Sequence, residues 1–169
     1  MLPSRLVPKA RAEMIEWIDQ WQYTRFVTLA FNDNSTSDAR LPGSQLNHGR
    51  LRDRLVQWDA RMNRLLIGKE WASRYPNRMF AFWFLEKPTT NPHWHGLVRF
   101  FPLDAEHLEQ QETKFDRNAE RLWTKLVPSG SVDVQNVSGQ RNLVKYVAKS
   151  LGHELSFEHF VTADEFAQR

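Results

Sequence analysis

The sequence predicts an α+β fold, in which helices cover a face of a β-sheet. Helical and strand patterns alternate along the chain in the order α-β-α-β-β-α-β-α. Two aromatic, strand-like segments are separated by only six residues, which is typical of an antiparallel hairpin. The 169 residues are 41% hydrophobic, which is enough apolar material for one sizeable core.

The first half of the chain contains one predicted strand between two predicted helices. Residues 9–22 and 45–71 carry apolar side chains at steps of three and four, which predicts amphipathic helices. Residues 25–31 are β-branched and aromatic and predict a strand, and the turn-rich residues 32–43 form its exit loop. The polar face of the long helix carries four arginines: Arg50, Arg54, Arg61 and Arg64.

The second half contains the hairpin and the remaining elements. Strands are predicted for residues 79–86, 93–101 and 131–137, and helices for residues 103–126 and 140–151. The last helix is expected to stop at Gly152. Beyond it, only residues 159–162 suggest any order.

Composition excludes several classes of chemistry and location. The chain has no cysteine, which excludes disulfides, Cys-ligated zinc, iron–sulfur clusters and thiol catalysis. The N-terminus lacks the apolar stretch of a signal peptide, and the longest apolar run, residues 79–85, is too short to cross a bilayer. We therefore expect a soluble intracellular protein.

Charge alternates in blocks along the chain. Residues 50–78 contain eight basic and three acidic side chains, and residues 121–150 contain five and one. Residues 102–120 and 151–169 are net acidic. The pattern predicts a basic side and an acidic side, although ordinary solvated helix surfaces would give the same pattern.

The motif most suggestive of chemistry is His93-Trp94-His95. Residues two apart in a strand project from the same face, so both imidazoles can bind one cation. If the hairpin pairs Glu86 with His93, a carboxylate joins them on that face. Such an open site suits Mg²⁺, Mn²⁺ or Zn²⁺. The alternative is a pair of ordinary strand histidines.

A second motif, Tyr146 with Lys149, lies on the last predicted helix. Residues three apart share a helix face, so the ammonium could stabilise a phenolate or offset phosphate charge. Read alone, this spacing is more often an ordinary surface pair on an amphipathic helix. It gains significance only beside a metal site.

These motifs, in this order, resemble the HUH endonucleases, named for His-hydrophobic-His. The resemblance is to the single-tyrosine Rep nuclease domains that initiate rolling-circle replication. It covers residues 23–152 and includes a strand motif at residues 26–31, the metal motif at residues 92–98 with Glu86 upstream, and Tyr146-Val-Ala-Lys149. It implies a nuclease domain over residues 23–152, an N-terminal helical extension over residues 1–22 and a C-terminal tail over residues 153–169. The family fold is a central antiparallel sheet, here of about five strands, with flanking helices.

The resemblance also implies a function. It predicts a sequence-specific nickase of single-stranded DNA that needs Mn²⁺ or Mg²⁺, held by Glu86, His93 and His95. Tyr146 would become joined to the 5′ end of the cut strand, with Lys149 assisting. The DNA, a hairpin at a replication origin, would be bound by Lys145 and by Arg50, Arg54, Arg61 and Arg64. The setting would be a bacterial cytoplasm or, for a protein of a eukaryotic virus, the host nucleus.

Three departures from the family pattern stand out. No Gly-x-x-x-x-Gly-Lys-Ser/Thr motif is present, so the helicase domain of many viral Reps is not expected. Trp94 is larger than the usual aliphatic residue between the histidines, and the first helix has no assigned role.

Other functions stay open at this point. A single-tyrosine transposase or a relaxase would use the same chemistry on different DNA. A non-catalytic nucleic-acid-binding module would keep the fold without the reaction. A metallohydrolase would cleave with activated water and use Tyr146 only structurally.

Overall fold

The protein is built around a five-stranded antiparallel sheet. The computed structural model describes residues 6–32, 48–150 and 160–166. The strands are β1 (Arg25–Ala30), β2 (Phe80–Glu86), β3 (His93–Arg99), β4 (Ser131–Asn136) and β5 (Phe160–Thr162), in the spatial order β4-β1-β3-β2-β5. Each neighbouring pair is antiparallel. The predicted α+β class, with a five-stranded antiparallel sheet, is confirmed.

Four α-helices flank the sheet. They are α1 (Leu6–Asp19), α2 (His48–Ile67), α3 (Ala105–Thr124) and α4 (Gln140–Val147). Short 3₁₀ turns follow at Tyr75–Asn77, Ala148–Ser150 and Ala163–Phe166. None of the helices in the described ranges is long and apolar enough to cross a membrane.

The helix ends differ from the predicted ones for local reasons. The prediction for α2 ran to residue 71, but the helix ends at Ile67 because Gly68 has a positive φ of 93°, the left-handed conformation that ends many helices. Helix α3 starts at Ala105 because the Asp104 carboxylate accepts a hydrogen bond from the backbone N–H of His107. The predicted loop beyond residue 32, the predicted start of α2 at Gln45 and the stop at Gly152 lie outside the described residues.

Strand alternation gives the sheet two apolar faces. One face, which includes Leu29, Trp83 and Trp94, packs against α2 and α3. The other face, which includes Phe82 and Leu97, packs against α1 and α4. The molecule therefore has three layers, with the sheet in the middle.

The hairpin of β2 and β3 pairs as predicted, with Glu86 opposite His93 and Phe84 opposite His95. Near its middle, Gly96 lies opposite Trp83. A Cβ atom on Gly96 would lie 2.3 Å from the Trp83 ring, so only glycine allows this indole to cross the strand.

Both chain ends contribute to the fold. Ile18 of α1 is fully buried in the second core, so this helix packs within the same body as the predicted nuclease domain rather than apart from it. In the tail, β5 lies where residues 159–162 suggested order and pairs with β2 as an edge strand.

Candidate metal centre and neighbouring tyrosine

Glu86, His93 and His95 form one cluster at the loop end of the hairpin. The Glu86 Oε2 atom lies 3.2 Å from His93 Nε2 and 3.0 Å from His95 Nε2. One ligand atom from each residue lies within 4.8 Å of the other two. The three residues could therefore hold one metal ion.

The spacing of these atoms fits a cation. Two ligand atoms, each about 2.1 Å from an ion and separated by an angle of roughly 90–110°, lie about 3.0–3.4 Å apart. The two Glu86–histidine distances fall in this range. The donor set of two imidazoles and one carboxylate leaves further coordination positions for substrate or water.

The proton on His93 strengthens this interpretation. His93 Nδ1 lies 2.8 Å from the backbone carbonyl of Asn91. A carbonyl only accepts hydrogen bonds, so this contact requires a proton on Nδ1, and in the tautomer with its proton on Nδ1 the Nε2 atom presents a lone pair to Glu86. Two electron-rich atoms at 3.2 Å need a proton or a cation to hold them together. An imidazole fixed by a backbone carbonyl is also the usual arrangement of a metal-binding histidine.

His95 is held on two sides by β1. Its Nδ1 atom lies 3.0 Å from the hydroxyl of Thr28, its cross-strand partner. The ring of Phe26 stacks on the imidazole, with centroids 5.4 Å apart and planes 17° apart. Only 7% of His95 is exposed, so its orientation is fixed before any ligand binds.

The surroundings favour the ligand forms of both groups at neutral pH. Burial lowers the pKa of His95 below its ordinary value of 6.5, and His93 lowers it further, against the opposing effect of Glu86. Burial raises the pKa of Glu86, but the hydrogen bond with His95 and the charge of Lys149 outweigh it, so the net pKa is lowered. A neutral imidazole and an ionised carboxylate are the forms that bind metals.

Tyr146 and Lys149 lie beside this cluster. The Tyr146 ring is centred 5.7 Å from the His95 ring and is 44% exposed. Lys149 Nζ lies 3.3 Å from Glu86 Oε1 and 4.1 Å from the centroid of the Tyr146 ring. Lys149 belongs to the 3₁₀ turn after α4. Tyr146 lies three residues earlier, in α4, and the approach of the ammonium to its ring shows that the pair still shares one side.

Helix α1 fixes the start of the helix that carries Tyr146. The Gln140 side chain donates hydrogen bonds to the backbone carbonyls of Asp19 and Trp21 and accepts one from the backbone N–H of Tyr23. Arg141, one residue further, pairs with Asp19 at 2.9 Å and also with Glu16. The first helix, unassigned from sequence, thus supports the tyrosine helix.

The basic residues predicted to bind DNA lie elsewhere. Helix α2 packs on the face of the sheet opposite the cluster, so its four exposed arginines are not brought together with the site: Arg50, Arg54, Arg61 and Arg64. Lys145 is exposed on α4, and its charge acts on Glu16 and Asp19 of α1. Among the described residues, Lys149 is a basic side chain that does contact the cluster.

Sequence reasoning missed the groups that orient the cluster, namely Phe26, Thr28 and Asn91, and the group that fixes the tyrosine helix, Gln140. Alternation in β1 places Phe26 and Thr28 on one face, which was a usable signal. It became informative only with the knowledge that β1 lies next to β3.

Comparison of the chain with protein-family models, curated proteins and solved structures found no match in any of the three. The assignment of a function therefore depends on the geometry of the site.

Proposed function

We propose that the protein is a metal-dependent endonuclease and strand transferase for single-stranded DNA, with Tyr146 as its nucleophile. The observation that carries this proposal is the convergence of an exposed phenol and a lysine on a Glu-His-His cluster. A plain metal-binding strand pair would not need either group. Rolling-circle replication is the proposed context, because the motifs resemble those of Rep nuclease domains.

In the proposed reaction, the Tyr146 oxygen attacks a backbone phosphorus atom. The bond from phosphorus to the 3′ oxygen breaks, the phenol proton passes to water, and the leaving oxygen takes up a proton from water to become a 3′-hydroxyl. The 5′ phosphate stays joined to the tyrosine, so a later attack by a 3′-hydroxyl can reseal the strand without ATP. Mn²⁺ or Mg²⁺ bound by Glu86, His93 and His95 would polarise the phosphate under attack.

Lys149 serves the nucleophile and the phosphate together. Its ammonium lies 4.1 Å from the centre of the Tyr146 ring, where a positive charge favours developing phenolate. It also contacts the Glu86 carboxylate, which holds the half-exposed side chain at the cluster. From there it can offset the charge of a phosphate.

The test is mass spectrometry of the products formed from a random single-stranded DNA library with Mn²⁺. We expect a covalent adduct on Tyr146 that disappears with a chelator and in Tyr146→Phe. Tyr23→Phe is the matched control, because the Tyr23 hydroxyl is buried and donates to the Ile18 carbonyl. This variant should form the adduct as wild type does.

Two other outcomes would contradict the proposal. Cleavage that persists in Tyr146→Phe without an adduct would indicate a hydrolase that uses activated water. Binding of single-stranded DNA with neither cleavage nor adduct would indicate a non-catalytic module. The sequence and structure of the DNA that is cut would separate replication origins from transposon ends and transfer origins.

A further inference from the structure

An aromatic pocket lies on the same face of the sheet as the cluster, at the opposite end of the hairpin. Its volume is about 360 Å³, within the range of small-ligand sites. Helix α1 and the segment after it contribute Trp17 and Trp21 to its lining, and the end of β3 contributes Arg99, with Phe101 just beyond. Three of these rings are exposed for more than a third of their surface: Trp17, Trp21 and Phe101.

Arg99 is the distinctive group of this pocket. Its guanidinium carbon lies 5.3 Å from the centre of the Trp21 ring and 4.6 Å from that of Phe101. In the described part of the chain, its buried Nε has no hydrogen-bond partner and its guanidinium forms no ion pair. The charged guanidinium of Arg99 thus lies between aromatic rings, and within the described residues no acceptor binds its N–H donors.

This composition suits a nucleobase. Aromatic rings and the planar guanidinium offer surfaces on which an unpaired base can stack, and the free donors can bind its ring nitrogens and carbonyls. Asp164, which also lines the pocket, adds an acceptor for an exocyclic amine. The carboxylate also makes the pocket less suited to a bare phosphate.

The pocket is placed to contact the strand whose phosphate reaches Tyr146. Phe80, in the pocket, lies six residues along β2 from Glu86, or about 20 Å at 3.3 Å per residue. At the B-form rise of about 3.4 Å per nucleotide, this distance corresponds to roughly six nucleotides, and to fewer if the strand is extended.

We infer that this pocket binds an unpaired nucleobase of single-stranded DNA, several nucleotides from the scissile phosphate. The inference rests on the proposed function, since it gives the strand to be cut a second point of contact. It also gives α1 a role beyond supporting α4.

The test measures binding of a fluorescent random single-stranded 20-mer in the presence of a chelator, so that neither the cation nor cleavage affects the result. We expect Trp21→Leu and Arg99→Gln each to weaken binding about tenfold, as loss of one stacked base does. Arg117→Gln, which removes an exposed arginine from α3 in the opposite layer, should bind as wild type. Photocrosslinking of wild type to iodouracil-substituted DNA should label Trp21 or Phe101.

Wild-type affinity in both pocket variants, with crosslinks elsewhere, would overturn the inference. The adduct on Tyr146 separates this failure from that of the proposed function. If the adduct forms but the pocket variants bind as wild type, the proposed nuclease function stands and the pocket inference fails. If the pocket variants weaken binding but no adduct forms, the pocket inference stands and the nuclease function fails. Wild type that binds no single-stranded DNA contradicts both proposals.

Discussion

The Thr28 hydroxyl contacts the ring nitrogen of His95 that faces away from Glu86, and it therefore orients the ring. It lies 3.0 Å from Nδ1, while Nε2 of the same ring faces Glu86. Groups that hold a metal-binding imidazole in this way commonly change metal affinity by about 10- to 100-fold when they are removed. Thr28 should therefore affect the cluster although it offers the cation no ligand.

We expect Thr28→Val, which keeps the shape and removes the hydroxyl, to weaken Mn²⁺ binding about tenfold. Isothermal titration calorimetry measures this affinity, and thermal unfolding confirms that the variant folds. Thr124→Val is the matched control, because its hydroxyl bonds to the Glu120 carbonyl within α3 in the other layer. Equal affinity in Thr28→Val and wild type would show that the hydroxyl does not orient the ring.

A second residue-scale feature is a carboxyl buried between α2 and β2. Asn63 donates to Asp59 and accepts a hydrogen bond from the backbone N–H of Met79, and Arg78 lies 3.6 Å from the same carboxyl. Burial raises the pKa of Asp59 to about 7, against the opposing effects of Arg78 and Asn63. Loss of its proton therefore disfavours the folded state.

This pKa predicts how stability depends on pH. In the unfolded chain Asp59 releases its proton near its ordinary pKa of 3.8, while the folded chain retains it up to about pH 7. The contribution is fully present below the unfolded pKa and is lost as pH rises through the folded one. We expect Asp59→Asn, measured by urea unfolding at about pH 5 and about pH 8, to lose less stability across this interval than wild type. Equal losses of stability in Asp59→Asn and wild type would contradict the raised pKa of Asp59. This comparison does not depend on how much stability the variant loses by leaving Arg78 without its partner.

At the scale of elements, the role proposed for Tyr146 depends on the position of α4 relative to the hairpin. The cluster belongs to β2 and β3, whereas the tyrosine belongs to a helix whose start is tied to α1 through Gln140. The two halves of the site are thus held by different contacts and can be separated by mutation.

We expect Gln140→Leu to lower the rate of adduct formation several-fold while leaving Mn²⁺ affinity unchanged. The substitution removes the bonds to Asp19, Trp21 and Tyr23 and so loosens the helix, but touches no ligand. Single-turnover adduct formation and calorimetry measure the two quantities. An equal fall in the rate of adduct formation and in Mn²⁺ affinity would indicate that the substitution destabilises the protein generally. Gln110→Leu on α3, whose amide donates to Glu106 of its own helix, is the control.

The elements also show which parts of the site the sequence could predict. The strands of the hairpin are adjacent in the chain, so alternation alone placed Glu86, His93 and His95 on one face, and the structure confirms the register. Thr28 lies 67 residues from His95, and Gln140 lies 117 residues from Tyr23. Such partners depend on the order of strands and the packing of helices, which no local pattern specifies.

At the scale of the whole molecule, the sheet separates the site from the most basic helix surface. The predicted alternation of charge along the chain correctly located exposed basic residues on α2. It could not indicate which side of the sheet the helix would cover, because that depends on the direction of the long connections between elements. The DNA path that we propose therefore follows α1, α4 and the hairpin.

We expect the double substitution Arg54→Glu and Arg61→Glu to change adduct formation less than twofold at physiological salt. Both side chains are exposed on α2, which packs on the face of the sheet opposite the cluster, and salt screens exposed charges that do not contact a site. Lys149→Glu, which reverses one charge at the cluster, should reduce the adduct to background. A large loss in the α2 variant would show that DNA wraps around the sheet edge.

Trp94, the residue between the two histidines, affects how the cluster would bind a cation. Trp94 points into the opposite layer, is fully buried, and donates from its indole nitrogen to the Leu51 carbonyl of α2. The backbone that carries the two histidines cannot shift without displacing Trp94 from a close-packed interior. A cation bound at the cluster would therefore meet strands already in place, and its affinity would not be reduced by a need to rearrange them.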